Sequence, residues 1–317
     1  MMIRTILYVL SLFLLVLAPA ADGGQVNATS TPTARVVKDA ESIATSTHTA
    51  TSTPQVNRSA PTADVTVDTA TAQATATSDA TGIDTDTAIN PVDGAVYVYV
   101  PPGDFTMGSN EGRADEQPAH TVYLDGFWIM QTEVTNGQYA ACVEDGACTA
   151  PRNIFWQLPV NADRPVTWVS WNQANDYAEW VGGSLPTEAQ WEKACRGTDG
   201  RVYPWGNTEP SAALLNFGNN GDGITPVGAY PNGAGPNGLL DMAGNVWEWT
   251  ADWYSEEYYS RSPERNPTGP ASGFARVARG GAFYFSAEGA RCAFRYGYNA
   301  QVAGDFGLGF RVVSEGF

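Results

Sequence analysis

Apolar and polar positions alternate along this chain in three regimes. Ile6 to Leu17 is an apolar run broken only by Ser11, placed between Arg4 and the small-x-small tripeptide Ala18-Pro19-Ala20. A run this short suits the core of a secretory signal better than a bilayer span, so residues 1–20 are expected to be a cleaved signal peptide. From Ala21 to Asn90 there is no aromatic residue, and Thr, Ala, Ser, Asp and Pro dominate. That composition cannot bury enough apolar area to offset chain entropy, which predicts a disordered Ser/Thr/Ala-rich linker over 21–92. Patterned apolar positions begin beyond it, and residues 93–317 hold all the tryptophan. That is length enough for one sizeable core.

Within 93–317 the helix signals are local and specific. Thr135-Asn-Gly-Gln138, Ser170-Trp-Asn-Gln173 and Thr187-Glu-Ala-Gln190 each set a hydroxyl three residues ahead of an amide, the pattern of a capping box. The helix from Trp171 puts Ala174, Tyr177, Ala178 and Val181 on one face and ends at Gly182-Gly183. The helix from Glu188 turns Trp191, Ala194 and Cys195 inward and stops at Gly197, after which helical periodicity is lost. Val96-Tyr-Val-Tyr-Val100 and Phe310-Arg-Val-Val313 read as strands. Long Gly, Asn and Pro-rich connections separate the remaining elements, and so much irregular backbone needs bridges or bound ions to hold it.

Charge and cysteine content narrow the function classes. A net charge of −17 excludes nucleic acid as a partner and suits a protein that holds divalent cations. The four cysteines, an even number in a chain bound for an oxidising compartment, predict two bridges. Cys142 and Cys148 flank a Gly turn and could close locally, which leaves Cys195 to pair with Cys292. The two histidines, His48 in the linker and His120, give a histidine metal centre or a Ser-His-Asp triad almost no material.

A set of motifs in fixed order then carries a resemblance. Phe105-Thr-Met-Gly-Ser109, Glu133-Val-Thr135 with Tyr139, Pro165-Val-Thr-Trp-Val169 and Leu185-Pro-Thr-Glu-Ala-Gln-Trp-Glu192 come first. Tyr203-Pro-Trp-Gly-Asn207, Asn237-Gly-Leu239, Gly244-Asn-Val-Trp-Glu-Trp249, Arg279-Gly-Gly281 and Gly309-Phe-Arg311 follow. Together they resemble the formylglycine-generating enzyme (sulfatase-modifying factor) family across essentially all of 93–315, within the expected domain 93–317. The resemblance implies an α+β, C-type-lectin-like fold with little regular secondary structure and two structural calcium ions.

Calcium takes six to eight hard oxygen ligands, carboxylates mixed with carbonyls. The family match assigns Asp241 and Glu248 as side-chain ligands of one ion, with Gly244 and Val246 as backbone ligands. It assigns Asn216 and Asp222 by side chain, and Phe217 and Ile224 by carbonyl, to the second. It also supports the Cys195–Cys292 bridge. The family's oxidase chemistry uses two copper-binding cysteines just after a Gly-Gly-Ser. Here that stretch runs Gly280-Gly-Ala-Phe-Tyr-Phe-Ser-Ala-Glu-Gly-Ala290 and holds no cysteine, so copper is not expected.

Aromatic residues occupy that stretch instead. Phe283, Tyr284, Phe285, Ser286, Phe294, Tyr296, Tyr298, Asn299, Asp305 and Phe306, with Gly297 and Gly307, have the composition of a binding surface. They are expected to cluster and to be largely exposed, with Arg291, Cys292, Ala293 and Arg295 between them buried or bridged. The segment also resembles the region between Arg-Gly-Gly and Gly-Phe-Arg that is diversified at Asn codons in variable proteins of diversity-generating retroelements. The leading expectation is a secreted or cell-surface, monomeric ligand-binding protein that contacts a protein or cell-surface ligand through loops 282–308, with no membrane insertion after signal cleavage. The alternative is a formylglycine-generating-type oxidoreductase, or another enzyme of that family acting on protein or small-molecule thiols. A weaker third is a hydrolase using Glu248 and Asp252.

Overall fold

The computed structural model describes residues 87–221, 223–300 and 304–317. The expected signal peptide and nearly all of the expected linker lie outside the described residues. The linker boundary at residue 92 needs correction. Thr87–Ile89 forms strand β1, antiparallel to β2 (Val96–Val100), and Asn90 is buried, its Nδ2 donating to the Val181 carbonyl at 2.9 Å. A three-residue strand of Thr, Ala and Ile carries no periodic signal of its own; pairing with β2 defines it.

The fold is mixed α+β. One antiparallel sheet has the order β1-β2-β5-β10, where β5 is Phe127–Met130 and β10 is Val313–Ser314. A hairpin pairs β3 (Gly103–Met107) with β4 (His120–Leu124). The second four-stranded sheet has the order β8-β7-β6-β9, built from Tyr296–Asn299, Ala275–Arg279, Trp247–Trp253 and Leu308–Phe310. Its β6 and β9 run parallel. Three α-helices occur among the described residues: α1 (Asn136–Glu144), α2 (Trp171–Trp180) and α3 (Glu188–Arg196). All three begin on the predicted capping boxes, with hydroxyl and amide bonds both made. Beyond Gly197 the only helical pieces among the described residues are short 3-10 turns.

The strand expected over Phe310–Val313 is divided between β9 and β10. Arg311 causes the break. Its guanidinium turns into the interior, binds Glu248 and donates to the carbonyls of Met130, Gln131 and Leu240 at 3.0–3.2 Å. The chain therefore leaves one sheet and enters the other across a buried charge. Both expected disulfides are present, Cys142–Cys148 and Cys195–Cys292. The second ties α3 to the segment after the Gly280-Gly281 turn, across 97 residues of chain.

Candidate functional site

The site is organised by β6, because successive side chains of a strand point to opposite faces. Glu248 and Asp252 face α3, while Trp247 and Trp249 face the other way. Both faces are buried along the first half of the strand.

The α3 face is a lattice of charges. Arg295 clasps Glu188 through two bonds of 2.8 and 2.7 Å, and Arg279 pairs with Glu192 at 2.6 Å and with Glu188 at 3.2 Å. Arg196 adds a 2.8 Å pair to Glu192, and the Glu192 carboxyl is held low by Arg279 and Arg196 against the opposing effect of its burial. Asp252 has no arginine of its own. It accepts the Glu188 N–H at 2.8 Å, and burial followed by the neighbouring Glu188 charge pushes it up to about 7.

The opposite face opens into the aromatic patch. Trp247 lies 5.0 Å from Phe285 and 5.5 Å from Tyr296, and Trp249 lies 5.4 Å from Tyr298. Tyr284 and Phe306 approach to 4.9 Å, and Phe283 touches both. The expected rings thus fall into two contact groups, Phe285, Phe294, Tyr296 and Tyr298 around Trp247 and Trp249, and Phe283, Tyr284 and Phe306 beside Trp168, and not all of them are exposed. Tyr296 (41%) and Phe306 (44%) are open, Ser286 is exposed, and Phe283, Tyr284, Phe285, Tyr298, Asn299 and Asp305 are half-buried. Phe294 is a correction: at 1% exposure it is core, packed between Trp247 and Phe285. Its neighbours Cys292, Ala293 and Arg295 are buried, and Arg291 is bridged to Glu116 by two 2.7 Å bonds. Tyr298 is a prop as much as a surface. Its hydroxyl binds Asp305 at 2.5 Å, and the Asp305 carbonyl accepts the Trp168 N–H at 2.9 Å.

The two stretches expected to hold calcium pack against each other. Gly244, at φ 80°, sits where a Cβ would fall 2.3 Å from the Asn216 carbonyl, and that carbonyl accepts the Asn245 N–H at 2.9 Å. Asn216 is buried, and its Oδ1 has no partner. Phe217 and Ile224 are half-buried, Val246 is buried, and Asp222 lies outside the described residues. Both Glu248 oxygens take Arg311 at 2.7 Å, and one also takes Trp191 Nε1 at 2.8 Å. Glu248 is therefore already neutralised by an arginine.

Sequence reasoning missed the carboxylate that is not neutralised. Glu133 is fully buried, its Oε2 has no partner, and its Oε1 accepts Asn245 Nδ2 at 3.1 Å. Burial, then the Asp241 and Glu248 charges, push its carboxyl well up, and burial raises Asp241 as well. Three buried acids thus share one Arg311. Glu133 stands in the Glu-Val-Thr motif, but only the fold brings it across to Asp241. Among the described residues no three His, Cys, Asp or Glu side chains converge to hold a metal. Any ion here would depend on two carboxylates with amide and carbonyl oxygens, a donor set that suits calcium. The loop after Asn216 is also tied to the patch. Gly218 N–H donates to Phe285 O, Asn219 N–H to Phe283 O, and Phe283 N–H to Asn245 O, at 2.7–2.9 Å.

Every cysteine of the chain is in a disulfide, so no thiol is left to hold copper or to engage a substrate thiol. Glu248 and Asp252, the carboxylates considered for hydrolysis, are 0% and 2% exposed. No described helix is long and apolar enough to cross a membrane.

The profile of the sulfatase-modifying factor enzyme 1-like domain matches residues 84–316. Over 222 residues the chain is 38% identical to serine/threonine-protein kinase pkn1 of Chlamydia caviae, a match covering 64% of this chain and 35% of that protein's length. It is 37% identical over 247 residues to the formylglycine-generating enzyme of Streptomyces coelicolor, covering 59% of this chain and 78% of that one. Of the solved structures, Treponema denticola variable protein 1 superposes with a TM-score of 0.59 at 25% identity, covering 73% of this chain and 99% of the other. A C-type-lectin-like α+β fold, the ordered motifs and the match over 84–316 together place this chain in the family of sulfatase-modifying factor enzyme 1-like domains.

Proposed function

We propose that this chain is a ligand-binding protein, secreted or held at the cell surface, that contacts a protein or cell-surface ligand through the aromatic patch of 283–286 and 296–306. The carrying observation is that Phe283, Tyr284 and Phe285 occupy the stretch where the family resemblance expects the oxidases' thiol pair, with Phe306 packed on the first two and with Phe306 and Tyr296 open to solvent. Exposed aromatic rings in one contiguous patch are uncommon on a protein that binds nothing. Two disulfides fit an oxidising compartment, and the likeness to the Treponema variable protein supports a binding role on this fold. Calcium has a structural part in this reading. The orphaned Glu133 Oε2, with Asp241, offers side-chain oxygens for one ion, and the orphaned Asn216 Oδ1 offers one for the other. An ion there would brace the loop whose N–H groups hold Phe283 and Phe285 in place.

The test uses the full chain against an array of purified extracellular proteins and intact cell surfaces. A specific hit should be lost in Tyr296→Ala/Phe306→Ala while the thermal midpoint stays within a few degrees. A hit retained by that variant sinks the reading. So does conversion of a sulfatase-type cysteine peptide to formylglycine by the wild-type chain.

A further inference from the structure

A cleft of about 530 Å3 lies beside the patch, a volume in the range of small-ligand sites. Phe283 and Phe306 of the patch form one wall, and Phe155, Trp156 and Trp168 form another. Arg164 is the single charged residue among those lining it. In a chain of net charge −17, a cleft with a cation and, among the described residues, no acid at its walls is a local inversion of sign.

Arg164 is also free. Its Nε is buried without a partner, and no described side chain or carbonyl takes its guanidinium. The acid next to it in sequence, Asp163, is exposed and does not line the cleft. The three asparagines at the walls are engaged in building them. Asn136 Nδ2 donates to the Asn161 and Arg164 carbonyls, Asn153 Nδ2 to Thr167 O, and Asn161 Nδ2 to Phe155 O, at 2.9–3.3 Å. Trp168 is held at φ 62°, a conformation that bulky residues rarely adopt and that concentrates at ligand sites. The walls are therefore preformed, and one planar, five-donor cation is left without a partner among the described residues.

We infer that this cleft binds a carboxylate carried on an aromatic or large apolar body, with Arg164 taking the carboxylate and the rings of Phe155, Trp168, Phe283 and Phe306 taking the body. A guanidinium matches a carboxylate bidentately, whereas a dianionic phosphate would need a second cation that the lining does not supply. Two sources share this chemistry, the free C-terminus of a polypeptide ending in an aromatic residue and a free aryl acid. The inference rests on the proposed binding role and adds a chemical class to the same surface.

The experiment is calorimetric titration of the full chain with two matched pairs: an N-acetyl tripeptide ending in Phe as the free acid or the amide, and 3-phenylpropionate or its amide. At least one acid should bind about tenfold or more tightly than its amide, the discrimination expected of one charge-assisted pair. Arg164→Gln should reduce that acid to the level of its amide. Its melting curve should be unchanged, since the side chain has no partner among the described residues and the carbonyl that holds Asn136 N–H is retained. Response of the tripeptide alone assigns a chain end, and response of the aryl acid alone assigns a small molecule. No preference for either acid, or a preference that survives Arg164→Gln, overturns the inference. If that happens while capture is still lost in Tyr296→Ala/Phe306→Ala, the carboxylate reading falls and the binding surface stands.

Discussion

Asp252→Asn isolates the one acid of the α3 lattice that lacks an arginine. Glu188 is neutralised by Arg295 and Glu192 by Arg279 and Arg196, which leaves Asp252 buried at 2% exposure beside the Glu188 charge. Its carboxyl rises from 3.8 to about 7. At about 1.4 kcal/mol per unit, that shift corresponds to a ceiling of ~4 kcal/mol. The sign follows from proton binding. Between about pH 4 and 7 the folded state holds a proton on Asp252 that the unfolded chain has released, so this group's contribution falls as pH rises. It is fully present below the unfolded value and lost through the folded one. The asparagine cannot titrate and still offers an oxygen to the Glu188 N–H. Denaturant unfolding of both proteins from pH 4.5 to 8 should therefore give curves that diverge. The variant should gain up to ~4 kcal/mol relative to wild type by pH 8, which is roughly 10 °C in thermal midpoint for a domain of this size. Parallel curves would show that Asp252 titrates normally and that the charge reasoning is wrong.

The two disulfides should differ in weight. Opening Cys195–Cys292, which closes 97 residues, should cost about 4–5 kcal/mol, against about 2 kcal/mol for the six-residue Cys142–Cys148 loop, measured by denaturant unfolding of the paired alanine variants. Equal losses would contradict the chain-entropy account. Calcium chelation should lower the thermal midpoint, and Asn216→Ala should shrink the gain that added calcium restores. Glu133→Gln should leave the chelated midpoint at least as high as wild type, since burial already disfavours the charged form of this carboxyl, and should weaken the calcium response. Identical midpoints with chelator and with calcium would remove the ions from the proposal.

What the sequence determined by itself was local or carried by whole motifs. Each helix start was legible at Thr135, Ser170 and Thr187, because a capping box is written within four residues and satisfied within four. The bridges were legible because four cysteines leave few pairings once the nearest two are joined. The family fold was legible because its motifs fall in order. Tertiary structure decided the rest. Whether an aromatic in 283–306 is surface or core depends on where β6 lies. Phe294 is swallowed between Trp247 and Phe285, while Tyr296, two residues on, is open. The split of Phe310–Val313 is set by Glu248, a partner 63 residues away. Glu133 meets Asp241 and Asn245 across more than a hundred residues, and Arg164 reaches Phe306's cleft from a different loop. Capping and turn chemistry are short-range and survive reading one residue at a time. Burial, charge compensation and the walls of a cleft are properties of neighbours in space, which a chain acquires only by folding.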